Sequence, residues 1–79
     1  MKESAFQRKL ILRFEKAGYY VIKLIKTSKN GCPDLLVMKN DTYFFVEVKA
    51  KKGVVSELQK YRIEEMKKFG ITTFIEVAE

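Results

Sequence analysis

The chain has 79 residues and a net charge of +6; 47% of its residues are hydrophobic, one is cysteine and none is histidine. These values indicate one globular domain over residues 1–79, and they exclude a disordered chain, an internal disulfide, a structural zinc site and any catalytic triad that needs histidine. No apolar run approaches about 20 residues and no signal-peptide pattern is present, so we expect a soluble cytoplasmic protein with no membrane segment.

The first predicted element is a helix over Glu3–Ala17. Phe6, Leu10 and Phe14 recur at helical spacing, and Gly18 suits the position just after a helix.

The first turn of this helix allows two interpretations. Ser4 and Gln7 have the spacing of a capping box, but Glu3 and Gln7 are equally suited to the face of Leu10 and Phe14. On spacing alone, the expected role of Glu3 is a favourable interaction with the helix dipole.

Basic residues are concentrated at the beginning of the chain. Residues 1–30 carry eight Lys or Arg and two Glu, whereas residues 31–79 carry eight of each charge. This asymmetry favours a polyanionic partner, most simply nucleic acid. An ordinary lysine-rich solvated surface is the alternative.

A strand is predicted over Tyr19–Lys26, followed by a polar loop over residues 27–31. Lys26 and Lys29 flank the approach to Asp34, so the loop is a candidate DNA-contacting element. The simpler interpretation is a turn with no further role.

The apolar runs Leu35–Met38 and Tyr43–Val48 flank a polar Asn40-Asp41 pair, which is the pattern of a β-hairpin. A loop centred on that pair places Asp34 directly opposite Glu47. Because side chains alternate along a strand, one face of the hairpin is expected to carry Asp34, Leu36, Met38, Tyr43, Phe45, Glu47 and Lys49.

Two carboxylates on opposite residues lie about 4.5–5.5 Å apart at Cβ and repel each other. Either one is protonated or a cation lies between them, and Lys49 points into the same space. Two acids and a lysine are suited to holding Mg²⁺ at a phosphate. The alternative is a salt-bridged structural cluster.

A second helix is predicted over Ser56–Phe69, with Ser56 and Gln59 as its capping box. Its packing residues are expected to be Leu58, Tyr61, Met66 and Phe69. A last strand over Ile71–Val77 follows, and a helix between two strands implies parallel pairing. The predicted fold class is α/β, in the order αβββαβ, with a mixed four-stranded sheet flanked by two helices.

Pro33-Asp34 and Glu47-Val48-Lys49 resemble the PD-(D/E)XK nuclease signature. Gly31–Leu35 and Ser56–Gln59 resemble the VRR-NUC branch of that superfamily, in its small stand-alone, phage-type form. The resemblance spans Glu3 to Val77. It implies a restriction-endonuclease-like core with the strands side by side in sequence order, and an intracellular protein encoded by a phage in a bacterial host.

The resemblance also implies the site. Mg²⁺, or Mn²⁺ as a substitute, is held by Asp34, Glu47 and the Val48 carbonyl, with Glu3 completing the acidic shell. Lys49 stabilises developing negative charge or orients the attacking water. Gln59 lies beside the site and positions the lysine, a water or a phosphate.

The implied function is a metal-dependent, structure-selective DNA endonuclease that acts as a homodimer on branched DNA such as four-way junctions, without a small-molecule cofactor. The alternatives are a nuclease for flaps or single strands, and a non-catalytic nucleic-acid-binding module in which Asp34, Glu47 and Lys49 form a structural cluster.

Overall fold

A computed structural model describes residues 2–79. Its elements, in chain order, are α1 (Glu3–Lys16), β1 (Tyr20–Lys23), β2 (Leu35–Lys39), β3 (Thr42–Lys49), α2 (Glu57–Lys68) and β4 (Thr73–Val77). The predicted order of one helix, three strands, a helix and a strand is confirmed.

The four strands form one sheet in the order β1-β2-β3-β4. Strand β2 is antiparallel to both of its neighbours, and β4 is parallel to β3. The predicted mixed sheet, with strands side by side in sequence order, is therefore confirmed.

The hairpin of β2 and β3 turns at Asn40 and Asp41, as predicted. Its register runs from Lys39 opposite Thr42 to Leu35 opposite Val46. Asn40 has a φ of 55°, a left-handed conformation that asparagine tolerates better than most residues.

Strand β1 is shorter than the predicted Tyr19–Lys26. It ends at Lys23, after which the Leu24 N–H donates to the Asp34 carbonyl at 2.8 Å. The next residue on the β2 side is Pro33, which has no N–H with which to continue the pairing to β1.

The core lies between α1 and one face of the sheet. Phe6 and Leu10 of α1 pack on the buried side chains of β2 and β3, which are Leu35, Val37, Val46 and Val48. These four strand residues all belong to the face of the hairpin opposite the one predicted to carry Asp34 and Glu47. The predicted Ser4–Gln7 capping box is wrong, because the N-cap is Lys2, two residues before Ser4, and Gln7 is buried.

Helix α2 packs on the rest of the protein with a different face from the one predicted. Tyr61 and Phe69 are exposed, so their assignment to packing is wrong, whereas Leu58 is half-exposed and its Cγ lies against Gly31. The Arg62 Nε instead donates to the Asn30 carbonyl at 2.8 Å. This polar contact ties α2 to the loop before Asp34, where the half-exposed Leu58 lies against Gly31.

No helix within residues 2–79 has the length and apolar character needed to cross a bilayer.

Gly31 allows α2 and the preceding loop to approach each other closely, and we predict that Gly31→Ala destabilises the protein. Its φ is +80°, and an added Cβ would lie 2.9 Å from the Leu58 Cγ and 3.0 Å from the Leu58 carbonyl oxygen. Gly70→Ala is the matched control, since its φ is +79° and, apart from residues 69–71, no atom within residues 2–79 lies within 4 Å of the added Cβ.

Left-handed strain alone costs about 1–2 kcal/mol, so Gly70→Ala should lower the free energy of unfolding by about that amount. Gly31→Ala should exceed it by at least about 1 kcal/mol, because steric overlap is added to strain. Urea denaturation measures both, and equal losses would contradict the close approach.

Candidate active site

Asp34 ends the regular pairing of the hairpin. The last rung is Leu35 opposite Val46, and the Asp34 N–H donates to the Val46 carbonyl at 3.1 Å. The Val48 N–H, which would donate to residue 33 in a continued antiparallel ladder, donates to the Asp34 Oδ2 at 2.8 Å. The Asp34 carboxylate thus replaces a backbone acceptor, and the regular Asp34–Glu47 rung expected from the sequence is wrong.

Glu47 is the buried acid of the site, with only 2% of its surface exposed. Its Oε2 accepts from the Gln59 Nε2 at 2.9 Å and lies 3.3 Å from the Lys49 Nζ. Its Oε1 is also buried, but it has no hydrogen-bond partner within residues 2–79. A buried carboxylate oxygen without a partner is costly, so this oxygen is the natural position for a cation or a donor.

The electrostatics at Glu47 follow from this placement. Burial, and next the nearby negative charge of Asp34, raise the pKa of Glu47 from 4.5 to about 7. The hydrogen bond and positive charge of Lys49 oppose the rise, and Glu3 adds a smaller contribution that raises the pKa. The pair of acids is therefore reluctant to carry both negative charges.

Gln59 joins the start of α2 to the acid pair by using both ends of its amide. Its Oε1 accepts from the Ser56 backbone N–H at 2.9 Å, and the backbone N–H of Gln59 donates to the Ser56 Oγ at 3.1 Å. The predicted capping box is thus present. Its Nε2 remains free to donate to Glu47, so one side chain has a structural contact and a site contact together.

Glu3 and Val48 contribute less directly. Glu3 is exposed at the start of α1 and reaches the site only as a distant negative charge. Within residues 2–79 no group of three or more Asp, Glu, Cys or His is close enough to hold a metal ion. Val48 contacts Asp34 through its N–H.

The donors that the structure does bring together suit a hard divalent cation. Asp34 and Glu47 supply carboxylate oxygens, and the unpartnered Glu47 Oε1 leaves coordination capacity in a buried position. Mg²⁺ keeps several waters and is commonly bound by only one or two carboxylates. Two acids are therefore enough for the ion that the sequence predicts.

Two basic loops surround this end of the sheet. The loop before Asp34 carries Lys26 and Lys29, and the loop after Lys49 carries Lys51 and Lys52; all four side chains are exposed. The three salt bridges formed within residues 2–79 involve none of these four. They are available to a polyanion that approaches the acid pair.

Sequence reasoning missed two contacts that build the site. It treated Asp34 only as an acid facing Glu47, although the Asp34 carboxylate also ends the strand pairing. It assigned no role to Arg62, although Arg62 holds the loop at Asn30. The three-residue spacing of Gln59 and Arg62 was the available signal.

Comparisons with known proteins identify the family of this chain and support its fold. The model of the VRR-NUC domain matches residues 3–78. The structure is similar to that of Hjc, a Holliday junction resolvase from the archaeal hyperthermophile Archaeoglobus fulgidus, with a TM-score of 0.69 and 24% identity. The match covers 90% of this chain and 65% of that one, and the likeness at this identity concerns the fold. No curated protein matches the sequence significantly.

The raised pKa of Glu47 predicts how stability depends on pH in the metal-free protein. Between the unfolded value of 4.5 and the folded value of about 7, the folded state holds a proton that the unfolded state has lost, so the free energy of unfolding falls as pH rises. The total loss is on the order of 3 kcal/mol.

Urea denaturation in EDTA at pH 5, 6, 7 and 8 measures this loss. Glu47→Gln should flatten the profile between pH 5 and pH 7 and be more stable than wild type at pH 8. Glu64→Gln, at an exposed position of α2, should keep the wild-type slope. A Glu47→Gln profile as steep as that of wild type would contradict the assignment.

Proposed function

We propose that this chain, which belongs to the VRR-NUC domain family, is a metal-dependent and structure-selective DNA endonuclease that acts as a homodimer on branched DNA such as four-way junctions. The family is a nuclease family. The observation that carries the proposal is the buried Glu47, whose Oε1 has no partner within residues 2–79, beside the anchored carboxylate of Asp34.

Asp34 and Glu47 are the proposed metal ligands, with the Val48 carbonyl as a third and Glu3 acting through water. The chemistry that bound Mg²⁺ or Mn²⁺ supplies is neutralisation of the scissile phosphate and activation of water for attack on phosphorus. The Asp34–Val48 hydrogen bond fixes the first carboxylate, and the Gln59 amide fixes the second. Both ligands are thereby held before the cation and substrate arrive.

Lys49 is proposed to stabilise the negative charge that develops on the phosphoryl oxygens. Its side chain is 13% exposed and its Nζ lies 3.3 Å from the Glu47 Oε2, so it is held at the site while keeping access to a ligand. Its ion pair with Glu47 places the ammonium group at the site. Electrostatic stabilisation is therefore a better role for Lys49 than that of a general base.

The proposed substrate follows from the charges around the site. Four exposed lysines in two loops suit contacts with phosphates, which position DNA without reading its sequence. Selectivity would then come from DNA shape. Two copies related by a twofold axis would suit symmetric cuts at a four-way junction, and the named activity of the similar archaeal resolvase supports this choice.

A non-catalytic nucleic-acid-binding module is the second candidate. The observation in its favour is that the Glu47 Oε2 already has two partners, Lys49 and Gln59, as in a structural cluster. The Glu47 Oε1 argues against it, because a buried carboxylate oxygen without a partner is costly in a cluster formed only for stability.

Asp34→Asn provides the test of catalysis. An asparagine oxygen can still accept from the Val48 N–H, so the fold should survive while a metal-binding charge is lost. We predict that cleavage of a labelled four-way junction in Mg²⁺ falls at least about 100-fold, whereas junction binding in EDTA stays the same or strengthens.

Asp41→Asn is the matched control, since it makes the same change in the exposed hairpin turn and should cleave as wild type does. A panel of duplex, single-stranded, flap and junction DNA ranks the substrates. Salt-sensitive binding by wild type without cleavage of any substrate in Mg²⁺ or Mn²⁺ would favour the non-catalytic module.

A further inference from the structure

Ile25 is an apolar side chain in an unusual environment. It is 87% exposed, more than any other large hydrophobic residue within residues 2–79. It lies two residues beyond the end of β1 and directly precedes Lys26. The packing of this chain gives no reason for an isoleucine at this position.

The same residue lies close to Asp34. Its neighbour Leu24 donates its N–H to the Asp34 carbonyl at 2.8 Å, which holds this part of the chain beside Asp34. Ile25, Lys26, Lys29 and Asp34 together line one open cleft of about 360 Å³. A phosphate that approaches Asp34 through this cleft therefore meets two lysines and an exposed isoleucine.

Lysines and isoleucine make different contacts with DNA. Lysines bind the backbone of any DNA, and their contacts make affinity fall with salt. An exposed apolar side chain gains little from phosphates, but it is stabilised when it inserts between bases and leaves water. Insertion costs less where stacking is already interrupted, as it is at a branch.

Resting on the proposed function, we propose that Ile25 inserts into the base stack at the branch point of a DNA junction and thereby determines the preference for branched over continuous duplex DNA. Lys26 and Lys29 hold the adjacent backbone, and the inserted side chain holds the branch beside Asp34. Selectivity for DNA structure then comes from one apolar contact that an unbroken duplex admits only at greater cost.

The test uses a four-way junction with 2-aminopurine at the branch-point nucleotides, because the fluorescence of this base rises when it is unstacked. Binding is measured in EDTA, so that no cleavage occurs, and a duplex of the same length is measured in parallel. The variants are Ile25→Ala, Ile25→Leu and, as a matched control, Leu12→Ala, which shortens a 60% exposed apolar side chain on α1.

Wild type should raise the fluorescence on binding. Ile25→Ala should lose most of this rise and bind the junction about tenfold more weakly, while its affinity for duplex stays unchanged. Ile25→Leu should retain most of both effects, since the side chain remains large and apolar, and Leu12→Ala should behave as wild type does.

Two results would overturn the inference. One is unchanged fluorescence and junction affinity in Ile25→Ala; the other is an equal loss of affinity for junction and duplex, which would mean that Ile25 supports DNA binding in general. Failure of the proposed function would look different, because wild type itself would then neither prefer the junction nor cleave it in Mg²⁺.

Discussion

The site depends on the hydrogen bond from the Val48 N–H to the Asp34 carboxylate, 2.8 Å long. This bond stops the antiparallel ladder of the hairpin by placing a side-chain oxygen where a backbone carbonyl would otherwise accept. It holds the Asp34 carboxylate rigidly beside Glu47, the buried acid on the opposite strand. Two carboxylates are thereby fixed at one end of the sheet, where neither can move away to relieve the repulsion.

The residues around Asp34 and Glu47 reduce the repulsion between the two carboxylates but do not remove it. Lys49 and Gln59 both engage the Glu47 Oε2, yet the Oε1 is left buried and without a partner in the described part of the chain. A structure selected only for stability would favour an apolar residue or a complete hydrogen-bond network here. A divalent cation would supply the partner that the Oε1 lacks. The exposed lysines around the site would then attract a polyanion to that cation.

The hairpin and the core could be predicted from the sequence because strand alternation and a two-residue turn are local properties of residues 34–49. The capping box of Ser56 and Gln59 was equally local. The packing of α2 could not be predicted, because its apolar side chains Leu58, Tyr61 and Phe69 follow helical spacing while the contacts that orient it are polar and distant in sequence, from Arg62 to Asn30 and from Gln59 to Glu47. The end of the strand pairing at Asp34 was missed for a related reason: spacing alone does not reveal that a side chain has replaced a backbone acceptor.

The most direct test of this account is a calorimetric titration with Mn²⁺ at pH 6 in two buffers that differ in ionisation enthalpy. If a cation resolves the conflict between Asp34 and Glu47, wild type will bind Mn²⁺ and release a proton, because Glu47 must ionise to become a ligand. Asp34→Asn, which keeps the acceptor for Val48, will lose this binding, while Asp41→Asn will retain it. Wild type that shows no binding at millimolar Mn²⁺, or Asp34→Asn that binds equally well, would contradict the claim that these two acids form a metal site.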